Sequence, residues 1–219
     1  MNEYTKQLLE YPLFDGIKEE ELGPMLGCLG GHIKTFKKGE YIFLEQEVVN
    51  HIGLIISGSI DMVKEDVWGN KTIMVRIKER DLFGESFACG LNQSSIVTFC
   101  ASSDSKIMFL PFQRVMHSCS RSCGFHHRLI ENMVFVIAAK NKQLMEKIEV
   151  VSKKTLREKI LAYLSQQAQV QGTEYFELPL GRVEMAEYLC ADRSALTREL
   201  NLMQDEGLID YHRNTFRLL

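Results

Sequence analysis

No two of the six cysteines stand as a Cys-x-x-Cys pair, and the 219 residues hold only four prolines and one tryptophan. The missing dithiol spacing argues against a zinc ribbon or a thioredoxin-type centre. Scattered thiols in a reducing compartment behave as small hydrophobes. Cys119 and Cys123, four apart, would share a face if helical, and both an inert pair and a redox or metal role stay open. Long apolar runs are missing too. The longest, Met133 to Ala139, is far short of a bilayer span, and Met1-Asn2-Glu3-Tyr4 opens nothing like a signal peptide, so a cytoplasmic protein off the membrane is expected. A global basic excess is also lacking: 26 Lys and Arg face 29 Asp and Glu, for a formal charge of −3. Any nucleic-acid binding must then come from a local patch. With 45% apolar residues the chain can bury one large core or two small ones, which excludes a disordered, collagen-like or disulfide-stapled class.

Residues 4–30 read as helical, packed on the outside of a β-rich region. From Ile33 to Pro111 short β-rich runs recur: Tyr41–Leu44, Ile52–Ile56, Ile60–Val63, Thr72–Ile77, Ile96–Phe99 and Lys106–Leu110. Gly39, Gly58, Gly69-Asn70, Asp81 and Gly84 punctuate them, a rhythm of a barrel or sandwich and not of βαβ units. At Phe125 the period changes. Ile130, Val134, Ile137, Asn141, Leu144, Ile148 and Val151 alternate steps of four and three, the a/d seam of a coiled coil over about three heptads. A single Asn on such a seam suits a two-stranded state, because a buried amide must find its mate across the interface. An amphipathic helix packed on its own domain is the alternative. Lys140, Lys142, Gln143, Glu146 and Lys147 flank the seam and narrow it, which favours the dimer.

The remainder reads as a small winged domain. Leu156–Gln169 is helical, Tyr175–Pro179 is a short strand, and Arg182–Leu189 forms a helix with Ala186 small enough for a close crossing. Cys190-Ala191-Asp192 makes a tight turn, with Asp192 the N-cap of a second helix through Met203. In that helix Leu196, Leu200 and Met203 face inward, while Ser194, Thr197, Arg198 and Asn201 share the opposite face and Arg193 joins them at the first turn. A guanidinium bonds guanine O6 and N7 together, and small hydroxyls let a helix sit deep in the major groove. The strands Leu208–His212 and Thr215–Leu218 would form a wing touching phosphates. Local charge lends no help: residues 151–219 carry nine basic and ten acidic side chains. A merely solvated face, or a winged helix that contacts protein, therefore stays open. No nucleophile elbow, paired-carboxylate spacing, metal-ligand cluster or phosphate loop occurs, so no enzyme and no metal site are expected.

Across nearly its whole length the chain resembles the Crp/Fnr superfamily of bacterial transcription regulators. Gly58-Ser59-Ile60-Asp61-Met62-Val63, Trp68-Gly69-Asn70-Lys71 and Arg80-Asp81-Leu82-Phe83-Gly84-Glu85 are similar to its cyclic-nucleotide-type β-roll. Ala186-Glu187-Tyr188-Leu189, Asp192 to Leu200 and Asp205-Glu206-Gly207-Leu208-Ile209 are similar to its winged helix. The expected architecture is α+β: a jelly-roll-like sensor domain over 1–124, a dimerisation helix over 125–151 and a winged helix-turn-helix over 152–219. The resemblance implies a homodimer on near-palindromic promoter sites in contact with RNA polymerase. It also implies bases read by Arg193 and Arg198, and Arg182 on phosphate.

Two departures limit the likeness. In cyclic-AMP receptors Gly-Glu opens a cassette whose later Arg pairs with the cyclic phosphate. Here Gly84-Glu85-Ser86 matches the start, but an ungapped count reaches Ser95, followed by Ile96. One hydroxyl cannot stand in for the paired charge a buried phosphate needs, so an effector other than cyclic AMP is expected. Met62, Met74 and Ile77 map onto the apolar lining of the family's pocket, or are ordinary core. Asn141, Lys142 and Gln143 fall where the dimer helix reaches ligand, with Lys142 a candidate cation. The second departure is Ser194, which takes the place of an acidic residue. A constitutively active form is an alternative, as is haem sensing through His51, His117, His126 or His127; before Gly84 only Cys28 stands where iron–sulfur members have a cluster.

Overall fold

The computed structural model describes residues 4–69, 71–117 and 124–219. The readings made on Asn70, Cys119 and Cys123 fall outside them. The chain forms two compact units, residues 1–138 and 139–219, which divide within one long helix.

The stretch 4–30 is broken into α1 (Thr5–Leu8), a 3-10 turn at Pro12–Phe14 and α2 (Glu19–Leu29). Pro12 has no amide to continue a helix, and Gly16 takes φ +67°, which ends the turn. Then come β1 (His32–Phe36), β2 (Tyr41–Phe43), β3 (His51–Ser57), β4 (Ser59–Glu65), β5 (Lys71–Lys78), β6 (Leu82–Phe83), α3 (Glu85–Ala88), β7 (Thr98–Ala101), β8 (Ser105–Pro111) and α4 (Phe112–Met116). Two antiparallel four-stranded sheets result, ordered β1-β8-β3-β6 and β2-β7-β4-β5. The strand expected from Ile96 begins two residues later. The Ser95 hydroxyl bonds both Val97 O (2.6 Å) and Val97 N (3.3 Å), and this local turn competes with the ladder.

Strand β3 is apolar on both faces because it is covered on both. Ile52, Leu54 and Ile56 pack with Leu8, Tyr11, Leu22, Leu26, Leu129 and Met133. Ile55 faces the roll interior with Ile60, Ile77, Phe83, Phe99, Ile107 and Phe109. Four rings interlock there: Phe83 lies 5.2 Å from Phe99, and Phe43 lies 6.1, 6.2 and 5.9 Å from Phe83, Phe99 and Phe109. Gly53 on β3 is needed for this packing, since an added Cβ would stand 2.3 Å from the Phe83 ring.

Helix α5 (Gly124–Val151) turns its first half's Leu129 and Met133 into the first core. Its outward stripe differs along its length. Ile130 and Ile137 are half-buried, Ile137 against the first core, whereas Val134, Asn141, Leu144 and Ile148 are exposed. Phe135 and Met145, outside the sequence-derived seam, are exposed beside it.

The second unit holds α6 (Leu156–Gln171), β9 (Phe176–Glu177), α7 (Arg182–Tyr188), α8 (Arg193–Asp205), β10 (Ile209–His212) and β11 (Thr215–Leu218). Thr155 opens α6 with a capping box: its hydroxyl accepts from Glu158 N (3.2 Å) while Glu158 Oε2 accepts from Thr155 N (3.0 Å). The core joins Val150, Ile160, Leu164, Met185, Leu196, Leu200, Met203 and Phe216, all buried. Strands β10, β11 and β9 form the small antiparallel sheet of the wing.

Candidate nucleic-acid interface and effector roll

Helix α8 begins where the sequence puts its cap. Asp192 Oδ1 accepts from Ser194 N at 2.9 Å and Ala195 N at 3.0 Å, and the Ser194 hydroxyl donates to the same oxygen at 2.5 Å. That hydroxyl and the two amides hold the Asp192 carboxyl below the ordinary range. The inward Leu196, Leu200 and Met203 are buried, so the helix can rotate in only one way against α7, and the opposite face is set. On it Arg193, Ser194, Thr197, Arg198 and Asn201 are all exposed. Thr197 Oγ1 donates to Arg193 O at 3.0 Å. The hydroxyl protons of Ser194 and Thr197 are thus spent within the helix, and both side chains offer only lone pairs outward. Arg193 and Arg198 have no hydrogen-bond or ion-pair partner among the described residues, leaving both guanidinium forks available.

Two ties that sequence reading missed fix this helix. Arg157 on α6 reaches Glu199 with Nε (2.6 Å) and Glu206 with Nη1 (2.6 Å) and Nη2 (3.0 Å). Gln204 Nε2 donates to Asp210 Oδ1 (3.1 Å) and Tyr211 O (3.3 Å), joining α8 to the wing. No spacing rule connects residues 42 or 49 positions apart across a domain, so neither Arg157 pair left a local signal.

Arg182, the expected phosphate contact, is folded against the wing in the free chain. Its guanidinium lies 5.0 Å from the ring centres of both Tyr211 and Phe216, and Nη2 donates to Arg213 O at 2.7 Å. Nη1 is buried without a hydrogen-bond partner among the described residues. Desolvation lowers the pKa of this cation. The geometry is that of a side chain positioning the turn at Arg213, which takes φ +56°.

In the roll the effector residues divide. Ile77 and Met62 join the interior cluster, but Met74 does not. A register shift between Met62 and Val63 sets Val75 opposite Met62 and Ile73 opposite Val63, so Met74 is skipped and lies half-exposed. Gly84 has φ +82°, and a Cβ there would stand 3.0 Å from His51 O. Glu85 is buried, its Oε1 accepting from Ser86 Oγ at 3.3 Å. Ser95 is buried with its hydroxyl bound to Val97, and Ile96 is exposed. The sequence near Ser95 offers no cation, yet β4 supplies one: Lys64 Nζ donates to Ile96 O at 2.8 Å and is paired with Glu45. Lys142 and Gln143 lie on the second unit's part of α5, both exposed, with Lys142 3.7 Å from Glu146. Among the described residues no cluster of His, Cys, Asp and Glu has the makings of a metal site, and no helix is long and apolar enough to cross a membrane.

A cyclic nucleotide-binding domain model matches residues 33–122, and a Crp-like helix-turn-helix domain model matches residues 158–219. No curated protein matches the chain significantly by sequence. Solved structures share its fold. CprK complexed with OCPA superposes with a TM-score of 0.62 at 15% identity, over 91% of this chain and 89% of that one. The c-di-GMP-responsive global regulator CLP of Xanthomonas campestris gives 0.59 at 14% identity, over 92% and 99%. A CooA mutant from Carboxydothermus hydrogenoformans gives 0.55 at 19%, over 88% and 85%. A nucleotide-type β-roll, a long helix and a Crp-like winged helix succeed one another in this order, and the chain belongs to the Crp/Fnr family of transcription regulators.

Proposed function

We propose that two copies of the chain join along the outward stripe of α5 and bind a near-palindromic operator, under control of a small-molecule effector other than cyclic AMP. The observation that carries the DNA half is the outer face of α8: two unpaired arginines on a helix held by its Asp192 cap, by Arg157 and by the wing. The exposed Val134, Leu144 and Ile148, with Asn141 among them, support the pairing, because aliphatic side chains at a/d spacing leave water when two such helices pair. Dimerisation sets two recognition helices roughly 34 Å apart, one DNA turn. An effector that binds one arrangement of the dimer better than another shifts its population, with Val151–Lys154 as the hinge between helix and reading head. RNA polymerase is the expected second partner, and DNA-bound dimers either recruit or block it.

Arg193→Ala tests the reading. It is expected to cost about 1–3 kcal/mol of operator binding and to relax preference at one base position per half-site. Affinity that falls equally for operator and random duplex would count against base reading. Binding by the intact protein should also weaken steeply with salt, as phosphate contacts release counterions.

For the effector, Ser95 and Lys64 support a ligand without the cyclic phosphate: the hydroxyl is committed to Val97 and the ammonium to Glu45. One structural neighbour responds to cyclic di-GMP, so rolls of this fold are not tied to cyclic AMP. Calorimetric titration with cyclic AMP is expected to give no heat of binding at micromolar concentrations, and a micromolar isotherm would overturn the proposal. The interlocked phenylalanines favour a second form, a regulator active without ligand; full operator affinity in ligand-free protein would select it.

A further inference from the structure

The Tyr211 hydroxyl on β10 donates to Asn201 Oδ1 on α8 at 2.6 Å. The ring that carries it is held by two neighbours and its backbone by a third. Arg182 lies 5.0 Å from the ring centre, Phe216 stacks on the ring at 5.0 Å and 12°, and Gln204 donates to the Tyr211 backbone carbonyl. A ring so confined cannot follow Asn201 to another rotamer; Asn201 must come to it. The amide oxygen and nitrogen branch from one carbon, so an oxygen drawn to the wing turns the NH2 group the other way. Asn201 itself is exposed on the face that bears Ser194 and Arg198.

Asn reads adenine by using both amide atoms at once, its oxygen taking the N6 amino group and its nitrogen donating to N7. That contact needs both atoms aimed at one base edge. We infer that Tyr211 determines the base preference of Asn201, withdrawing its oxygen so that only the donor meets DNA and the two-atom contact that would favour adenine is not made. The inference rests on the DNA-binding reading above and adds to it a specificity-determining residue that lies on the wing.

The test is selection from a randomised duplex library with the full-length protein, Tyr211→Phe, and Tyr211→Phe combined with Asn201→Ala. Losing the hydroxyl frees the amide to rotate. Tyr211→Phe is expected to gain adenine by about ten-fold at one base pair per half-site, the size of a bidentate contact. The double variant should lose that gain. Identical motifs from wild type and Tyr211→Phe, both melting at wild-type temperature, would overturn the inference while leaving DNA binding intact. A wild-type protein that enriches no sequence would instead sink the reading on which it rests.

Discussion

Replacing Leu144 and Ile148 together with lysine is expected to leave a monomer in sedimentation and to lower operator affinity by at least a hundred-fold. Both side chains are mostly exposed in the single chain, at 58% and 62%, so their loss does not open either core. Across a symmetric helix pair the change removes four aliphatic side chains, each contributing roughly 1.5–3 kcal/mol when buried. The sum, at most about 6–12 kcal/mol, compares with about 12 kcal/mol for a nanomolar dimer, and four ammonium groups would have to be buried in its place. A lone reading head then meets one half-site at a time, and avidity worth roughly 10²–10⁴ is lost. Far-UV circular dichroism should stay near wild type. A doubly substituted chain that still sediments as a dimer would place the interface elsewhere.

The other large effect lies in the roll. Phe83→Ala is expected to destabilise the first unit by about 3–5 kcal/mol, read as a lower denaturant midpoint. Phe83 is 1% exposed, and its ring touches Phe43, Phe99 and Phe109 while lying over Gly53. Removing it leaves a void ringed by aromatics that cannot collapse, because the facing strands are fixed by their ladders. The second unit keeps its own core, built from residues 150–216, so its transition should hold its midpoint. A loss below about 1 kcal/mol would mean that the roll interior repacks freely, and that its filling by phenylalanine says nothing about ligand access.

Much of this is legible in the residues. Alternation and turn residues mark most strands of the roll, and the seam from Ile130 to Val151 marks one helix. The reading head is clearest: Asp192 as cap, three apolar residues inward and five polar ones outward. Such patterns are legible because burial repeats at the period of the element that carries it. The brief elements β6 and α3 escape sequence reading, since two or four residues carry no period. Met74 shares its chemistry with Met62 and Ile77, and a register shift that no composition announces separates it from them.

The sequence by itself determined the order of elements, which side of each helix is apolar, and the placing of Arg193 and Arg198 on the outer face of α8, because these depend on local periodicity and capping. Only the tertiary structure decided what the polar groups do. Arg182 packed on the wing, Lys64 came to Ile96 from 32 residues away, and Tyr211 took hold of Asn201. A hydrogen bond depends on where two atoms meet, and chain distance says nothing about that once strands and helices have packed.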